Sequence, residues 1–311
     1  MSLLIVGSIA LDTVRTPFGV VEDALGGAAV YASCAASFFT DVSVTGVAGR
    51  DFPSRHTEFL SSRGIDISGL EITEGQTFRW SGRYDFDLNQ AHTLDTQLNV
   101  FADFRPDLGP AQRRASHVFL ANMDPDTQLH ILDQLEQPEL VACDTMNFWI
   151  DGKPEALKRV ISRSDILFIN DAEARQLCNT PSLIKAAREL HDMGLRAVVI
   201  KKGEHGSLML CDEGFFAAPS YPLEEVRDPT GAGDSFAGGF MGYLVSEGDC
   251  GMDSLRCAVI CGSVVASYNV EDFSLERMKQ LGRNDIAVRF NEFRHLSTFE
   301  SPGALLSVSL E

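Results

Sequence analysis

The sequence predicts an α/β fold in which helices cover both faces of a mostly parallel central sheet. Short apolar runs alternate with helical patterns over most of the 311 residues, which is typical of right-handed βαβ units. Two segments, residues 12–24 and 76–104, interrupt this order with alternating polar and aromatic residues. That alternation is typical of antiparallel strands, so a small second sheet is expected beside the main one.

The individual elements follow from hydrophobic periodicity and from the length of each apolar run. Strands are expected at Leu3–Ile9, Val42–Val47, Val118–Leu120, Leu140–Cys143, Ile166–Ile169 and Ala197–Ile200. Helices are expected at Ala28–Phe39, Thr127–Glu136, Pro154–Ser162, Ser182–Met193, Ser235–Ser246 and Ser254–Tyr268. We expect the two interrupting segments to form a small antiparallel β lid over the ligand-binding edge of the main sheet. The alternative is an exposed hairpin that only stabilises this edge.

The composition excludes several classes of partner and site. With 26 basic and 44 acidic side chains the net charge is −18, which disfavours nucleic acid and anionic membranes as partners. None of the seven cysteines lies in a Cys-x-x-Cys pair, so neither a structural zinc site nor a disulfide framework is expected. The N-terminus lacks the basic region of a signal peptide, and no apolar run approaches the roughly 20 residues of a membrane helix. A cytoplasmic protein is therefore expected.

The segment with the clearest chemical meaning is Asp-Pro-Thr-Gly-Ala-Gly-Asp at positions 228–234, directly before an apolar helix. Its two glycines allow a tight turn whose backbone N–H groups converge, and the positive end of the helix dipole faces that turn. Together they make a site for the charge that builds on a phosphoryl group during transfer. The carboxylate of Asp234 can take the proton from an attacking hydroxyl. The alternative is a common glycine turn followed by a helix that Asp234 only caps.

The string at positions 228–234 resembles the signature of the ribokinase-like (PfkB) family of carbohydrate and nucleoside kinases, and the resemblance extends over nearly the whole chain. The resemblance implies a ribokinase-like three-layer αβα domain over residues 1–311 and an ATP-dependent kinase that requires Mg²⁺. It also implies that Asp234 is the general base. The amides implied to form the anion hole are those of Gly231, Ala232 and Gly233. Asp228 and Thr230 lie where many family members bind a monovalent cation, which leaves potassium dependence open.

The same resemblance assigns a second set of residues to the nucleotide and its metal. Asn170-Asp171-Ala172-Glu173 follows a predicted strand and resembles the family's Asn-x-x-Glu motif, whose outer residues share one face of a helix start. Asn170 is implied to contact phosphates, and Glu173 to hold Mg²⁺ through water. A helix start that is merely rich in acids is the alternative. Gly203 and Gly206 resemble the loop around the ATP ribose and adenine, and the adjacent Lys202 is interpreted as a solvated surface charge.

A third set is implied to bind the acceptor. Gly26-Gly27 resembles the family's N-terminal Gly-Gly motif, where the backbone approaches the substrate closely; helix–sheet packing is the alternative. Asp12 resembles the carboxylate that accepts hydrogen bonds from substrate hydroxyls, which suits a vicinal diol, with a plain turn residue as the alternative. Polar groups that follow two further strands are candidates for substrate or metal contacts, or for turns. They are Asn122 and Asp124, and Asp144 and Asn147.

Two departures from ribokinase itself bear on the acceptor. Where ribokinase has asparagines near the first-strand aspartate and within the Gly-Gly motif, this chain has Ala10 and Tyr31. Two fewer amides weaken the case for free ribose, and the Tyr31 ring and the lid aromatics are expected to stack on a flat base. A nucleoside is therefore the preferred acceptor, with a sugar or sugar acid as the alternative. A homodimer through the β lid is left open.

Three other classes of nucleotide-binding protein fit the sequence less well. A nicotinamide-dependent dehydrogenase predicts Gly-x-Gly-x-x-Gly after the first strand, whereas Gly7 is followed by Ser-Ile-Ala. A Walker-type NTPase predicts Gly-x-x-x-x-Gly-Lys-[Ser/Thr], which does not occur in the sequence. A non-catalytic nucleotide sensor on the same fold predicts loss of the base, yet Asp234, Asn170 and Glu173 are all present.

Overall fold

The fold is that of a computed structural model, which describes residues 2–298; Met1 and residues 299–311, also part of the predicted domain, lie outside the described residues. The strands are β1 (Ser2–Val6), β2 (Ala10–Thr16), β3 (Gly19–Gly26), β4 (Asp41–Gly49), β5 (Asp66–Thr73), β6 (Phe78–Tyr84), β7 (Ala91–Gln97), β8 (His117–Leu120), β9 (Leu140–Asp144), β10 (Ile166–Asn170), β11 (Ala197–Lys201), β12 (Ser207–Cys211) and β13 (Gly214–Ala218). The helices are α1 (Ala28–Ala36), α2 (Ser54–Ser62), α3 (Pro110–Arg113), α4 (Pro125–Leu132), α5 (Asn147–Gly152), α6 (Pro154–Ile161), α7 (Asp171–Leu177), α8 (Leu183–His191), α9 (Ala232–Glu247), α10 (Met252–Asn269) and α11 (Arg283–Ser297). Within residues 2–298, no helix combines the length and the apolar character that crossing a membrane requires.

The main sheet has the strand order β13-β12-β11-β10-β9-β8-β1-β4-β5. Every pairing from β11 to β5 is parallel. The sequence prediction of a mostly parallel sheet is therefore confirmed. At the other edge, β12 and β13 form an antiparallel hairpin that the sequence prediction did not include.

Helices cover both faces of this sheet because successive strand residues point to opposite sides. In β1, Leu3 and Ile5 pack on one side with residues of α1, α9, α10 and α11. Leu4 and Val6 pack on the other side with residues of α4, α6 and α8. All four side chains are fully buried, and each contributes about 1.5–3 kcal/mol to folding by leaving water. The two cores make the fold a three-layer αβα arrangement, as predicted.

A second, four-stranded sheet has the order β3-β2-β6-β7 and is called the β lid below. Its two hairpins, β2–β3 and β6–β7, are antiparallel, which confirms the predicted small sheet. The hairpins are joined by a parallel pairing of β2 with β6. Because β2 closely follows the carboxyl end of β1, the lid lies at the edge where open parallel sheets bind ligands. A homodimer through the lid stays a prediction.

Candidate active site

The glycine turn predicted before the long apolar helix is present. Gly231 adopts the left-handed conformation with φ 74°, and α9 begins at the next residue, Ala232. The N–H of Ser235 donates to the carbonyl of Gly231 at 2.8 Å, and the N–H of Ala232 donates to the carbonyl of Pro229 at 3.1 Å. Because the first N–H groups of a helix lack acceptors within it, the amides that follow Ala232 can bind an anion. The anion hole stays a prediction, and of its three amides that of Ala232 is engaged by Pro229 in this structure, which leaves those of Gly231 and Gly233.

Asp234 lies in the first turn of α9, at the positive end of the helix. Burial and the negative charge of Asp144 raise the pKa of Asp234 to about 7, while the Lys201 ammonium and the N–H of Asp234 itself oppose the rise. A general base works best when its pKa is near the working pH, because it must both take and release a proton. The environment of Asp234 thus matches the role predicted for it.

Tyr31 lies directly against the glycine turn. A β-carbon on Gly231 would fall 2.4 Å from ring atoms Cγ and Cδ1 of Tyr31, and the tyrosine is only 1% exposed. So close an approach requires glycine at position 231. A ring this enclosed has no face available to a ligand. The expectation that Tyr31 stacks on a base therefore does not hold in this structure, where the ring supports the catalytic turn instead.

Asp12 packs against the Gly26-Gly27 motif. A β-carbon on Gly26 would fall 1.9 Å from Oδ2 of Asp12, and one on Gly27, where φ is 98°, would fall 2.4 Å from a backbone carbonyl oxygen. Burial and the charges of Asp228 and Asp234 raise the pKa of Asp12 to about 8, opposed by a hydrogen bond from the N–H of Gly27. The Gly26-Gly27 motif leads directly into α1, and Tyr31 of α1 lies against Gly231, so the predicted acceptor ligand and the turn before the predicted base flank the same helix start.

Asn170 and Glu173 form a reciprocal cap at the start of α7. Asn170 Oδ1 accepts from the N–H of Glu173 at 2.8 Å, and Glu173 Oε2 accepts from the N–H of Asn170 at 2.9 Å. The helix-start alternative is thus present, and it also holds the Glu173 carboxylate rigidly. Burial and the charge of Asp144 raise the pKa of Glu173 to about 7, while Lys201 opposes the rise. Glu173 is therefore near the same charged groups as Asp234.

A buried ion pair lies between the residues predicted to bind the nucleotide and the predicted general base, Asp234. Lys201 is the last residue of β11, and its Nζ donates to Oδ2 of Asp144 at 2.6 Å. The two side chains are 17% and 4% exposed. Sequence reasoning missed Lys201 and considered its neighbour Lys202. The signal was available, because Lys201 directly follows a predicted strand, which is the criterion that selected Asp144.

The β lid touches the catalytic turn and the predicted adenine loop. The Tyr84 hydroxyl, at the end of β6, lies 3.3 Å from Oγ1 of Thr230. Burial raises the pKa of Tyr84, and the charges of Asp228 and Asp12 add to the rise. Beyond Tyr84, Asn89 Nδ2 donates to Oε1 of Glu204 at 2.9 Å. Tyr84 is therefore a lid aromatic that reaches the site.

The adenine loop contains the two predicted glycines. Gly203 and Gly206 both have positive φ, at 54° and 78°. They enclose the short helical turn Gly203–His205, which follows β11 and precedes β12. The loop thus lies at the carboxyl end of β11, where the prediction placed it.

Comparison with known proteins places this geometry in a family. The family model for pfkB family carbohydrate kinases matches residues 4–277. The chain belongs to the pfkB family of carbohydrate kinases.

Three similar proteins extend the comparison. A cytidine kinase from Thermococcus kodakarensis is 33% identical over 254 residues, which is 78% of this chain and 88% of that protein. An ATP-dependent ribose-1-phosphate kinase from Halopiger xanaduensis is 26% identical over 249 residues, which is 78% of this chain and 79% of the relative. The crystal structure of the Methanocaldococcus jannaschii nucleoside kinase has a TM-score of 0.75 at 21% identity, and the match covers 94% of this chain and 98% of that one.

Membership of the PfkB family confirms three predictions: the family itself, the ribokinase-like fold and the enzyme class. The protein is an ATP-dependent phosphotransferase that acts on a hydroxyl group.

In this PfkB fold, the predicted residues at the strand ends divide into two groups. Asp144 joins the site through Lys201.

The other strand-end residues are engaged elsewhere. Asn122, predicted to bind substrate, accepts a hydrogen bond from Nε1 of Trp149 at 3.1 Å and contacts the sulfur of Met146. These contacts hold the amide of Asn122 against the segment around α5. A polar side chain at a strand end can serve packing as well as binding, and the contacts of Asn122 serve packing. Asp124 caps α4 and pairs with Lys153. Asn147 lies exposed at the start of α5.

Asp228 and Thr230, the predicted monovalent-cation residues, are both buried. The Asp228 carboxylate accepts from the N–H of Thr230 at 2.9 Å and from the N–H of Ser274 at 3.1 Å. Asn269 donates to the Thr230 carbonyl at 2.8 Å, yet its own Oδ1 is buried without a hydrogen-bond partner among the described residues. Asp228 and Asn269 both bond to Thr230, and a buried carboxylate and an unpartnered carbonyl oxygen are the kinds of donor that a hard cation takes, so these residues fit a monovalent cation.

Proposed function

We propose that this kinase phosphorylates the 5′-hydroxyl of a ribonucleoside. The observation that carries the proposal is that Asp12 lies against Gly26, while Tyr31, in the first turn of the helix that follows Gly27, lies against Gly231 in the turn before Asp234. A carboxylate at Asp12 suits the neighbouring 2′- and 3′-hydroxyls of a ribose. With those two hydroxyls held, the 5′-hydroxyl is the one left for Asp234. The similarity to a cytidine kinase supports a nucleoside as the acceptor.

The residues of the cleft divide the reaction between them. Asp234 takes the proton of the attacking hydroxyl as its oxygen bonds to the γ-phosphorus of ATP and the bond to the β-phosphate oxygen breaks. The helix-start amides around Gly233 stabilise the charge on the transferred group. The β lid, through Tyr84 and Asn89, encloses both substrates and limits wasteful hydrolysis of ATP.

Two cations belong to the proposal. Glu173 would hold Mg²⁺ through water, since its carboxylate is buried, rigidly capped and close to the Asp144 charge. Mg²⁺ held there would supply positive charge that offsets the charge of the phosphates. Asp228, the Thr230 carbonyl and Asn269 Oδ1 would hold a monovalent cation such as K⁺, which would fix the backbone just before the anion hole.

A screen of phosphate acceptors tests the proposal. ADP release from ATP and Mg²⁺ is measured with cytidine, uridine, inosine, adenosine, ribose, ribose 1-phosphate, fructose and a ketodeoxy sugar acid. We expect at least one nucleoside to be used efficiently and to stabilise the protein in thermal shift more than ribose does. Efficient turnover of a sugar, sugar phosphate or sugar acid, with none of a nucleoside, would overturn the nucleoside proposal and leave the kinase assignment intact.

Glu173→Gln should raise the Mg²⁺ concentration needed for half-maximal activity and weaken the use of ATP, because a neutral amide organises the metal's water shell poorly. The matched control is Glu155→Gln, which changes an exposed acid in the first turn of α6. The measurement is a Mg²⁺ titration of initial rate at fixed ATP. Identical titration curves for the two variants would leave Glu173 as a helix cap only.

At about pH 9, where Asp12 is ionised, Asp12→Asn should raise KM for the nucleoside by about 10–100-fold, the value of one or two hydrogen bonds to a charged acceptor, while KM for ATP changes little. The control is Asp95→Asn on the exposed strand β7. If both KM values for Asp12→Asn match those of the control, Asp12 does not bind the acceptor.

The same variant should make the unliganded protein more stable at alkaline pH. Because the folded-state pKa of Asp12, about 8, lies above its ordinary value of 3.8, the folded protein holds this proton more tightly than the unfolded chain does. The resulting stability is fully present below about pH 4 and is lost as the pH rises to about 8. Asparagine mimics the protonated form. Melting temperatures of wild type and Asp12→Asn should therefore nearly agree at about pH 4 and diverge in favour of the variant at about pH 8. A difference in melting temperature between the two proteins that is equal at both pH values would contradict the raised pKa of Asp12.

A further inference from the structure

Lys201 occupies a position from which it can reach the transferred phosphate. The place where a β-carbon of Gly233 would lie is 3.1 Å from Lys201 Nζ, so the ammonium lies against one of the residues of the predicted anion hole. Gly233 directly precedes the base Asp234. Lys201 also ends β11, at the carboxyl edge of a parallel strand. Ligands of open parallel sheets bind at this edge.

The charges around Lys201 also point to a ligand. Asp144, Glu173 and Asp234 all act on the ammonium and together raise the pKa of Lys201, although burial alone would lower it. Lys201 therefore stays protonated, and its Nζ lies beside Gly233, the residue that precedes Asp234. An ammonium needs one buried carboxylate as its counter-ion, and Asp144 already supplies it at 2.6 Å. The other two carboxylates belong to the reaction centre.

A purely structural role explains less of this arrangement. The ion pair joins β11 to β9, which are separated in the sheet by β10. A buried ion pair adds little net stability, because burying two charges costs about as much free energy as their attraction returns. Well-packed apolar side chains would join the strands equally well, as they do elsewhere in both cores. The pair becomes useful when the ammonium gains a second anionic partner.

We propose that the Lys201 ammonium contacts the γ-phosphoryl group of ATP as it is transferred, and that Asp144 positions this ammonium. The proposal rests on the proposed kinase reaction and adds a residue to it. As the bond from the γ-phosphorus to the β-phosphate oxygen breaks and the bond to the acceptor oxygen forms, Lys201 remains protonated and the acceptor proton passes to Asp234. The charge of Lys201 offsets the charge on the non-bridging oxygens, next to the amide of Gly233.

The first test compares Lys201→Met with Lys202→Met, which removes the adjacent lysine. We expect Lys201→Met to lower kcat by about 100–1,000-fold, the usual effect of losing one preorganised charge or donor, and to leave ADP and nucleoside binding nearly unchanged. Lys202→Met should behave like wild type. Equal kcat for the two variants would overturn the proposal.

A second measurement does not depend on turnover. ADP with aluminium fluoride and nucleoside mimics the transferred phosphoryl group, and its complex should raise the melting temperature of wild type and Lys202→Met far more than that of Lys201→Met. If Lys201→Met retains the full stabilisation, the ammonium does not touch that group. If Lys201→Met folds poorly, Lys201→Met/Asp144→Asn removes both buried charges and replaces it in both measurements.

The role of Asp144 is separated by a double-mutant cycle. Asp144→Asn alone should lower kcat, but it should have no further effect in the Lys201→Met background, because it acts through the ammonium. Equal losses in both backgrounds would show that Asp144 acts independently. Failure of the nucleoside proposal is distinguishable, since it would appear in the wild type as transfer to another acceptor, whereas failure of the Lys201 proposal leaves wild-type transfer intact.

Discussion

Asp234→Asn should lower kcat by about 100–10,000-fold, the usual contribution of a positioned general base. Asparagine has nearly the same shape, so α9 and its glycine turn should persist, but it cannot accept the hydroxyl proton. Because the pKa of Asp234 in the unliganded protein is about 7, kcat/KM of the wild type should rise with pH below neutrality and level off above it. The slow residual reaction of the variant should lack this dependence.

The control for this variant is Asp253→Asn, which changes an exposed acid in the first turn of α10. Both variants should bind ADP with an affinity near that of wild type, measured by calorimetry. Near-normal turnover of Asp234→Asn would remove Asp234 from the role of base.

Gly231→Ala should lower kcat by about 100-fold, because a displacement of about 1 Å in a catalytic group has an effect of that size. The new methyl group would fall 2.4 Å from the ring of Tyr31, which is buried and has no room to retreat. The left-handed backbone at φ 74° adds a cost of roughly 1–2 kcal/mol for any residue with a β-carbon. The turn must therefore shift, and the amides at the start of α9 shift with it.

Gly64→Ala isolates the backbone part of this effect. Gly64 has a similar φ of 77°, and a β-carbon there would meet nothing within 4 Å. We expect Gly64→Ala to lose some stability and to keep its turnover, measured as kcat and melting temperature of both variants. If Gly231→Ala keeps its turnover as Gly64→Ala does, the tight packing of Tyr31 beneath the turn does not govern catalysis.

The parts of the site that the sequence predicted are those built by neighbouring residues. The turn at Gly231 and the cap between Asn170 and Glu173 depend on residues within a few positions of each other. Glycines and capping side chains act on the local backbone, so their spacing carries the structure. The strands of the parallel sheet were predictable for a similar reason, because each is a short buried apolar run.

The parts that sequence reasoning missed depend on distant contacts. Tyr31 looked like a ring facing the acceptor, yet Gly231, 200 positions later, covers it. Asn122 looked like a free amide, yet Trp149 occupies its oxygen. The role of Lys201 depends on its ion pair with Asp144, which lies on β9, a strand that is not adjacent to β11 in the sheet. No local pattern fixes such pairings.

The edges of the two sheets show the same limit. The β12–β13 hairpin lies between Gly206 and the catalytic turn, and its strands alternate too weakly between buried and exposed residues to stand out. In the β lid, the parallel pairing of β2 with β6 joins residues 68 positions apart in the chain, as in the pair Asp12 and Trp80. Composition identifies such segments as strands, but only the folded chain selects their partners.

The central claim is that this PfkB protein moves the γ-phosphoryl group of ATP to a nucleoside through Asp234. The most direct measurement follows radioactive γ-phosphate from ATP after incubation with Mg²⁺ and the nucleoside that the acceptor screen ranks first, for wild type and Asp234→Asn side by side. We expect the wild type to place the label in a nucleoside 5′-monophosphate in proportion to the ADP formed, and the variant to place almost none there. Label that appears only as inorganic phosphate, or that reaches the nucleotide equally in both proteins, would contradict the claim.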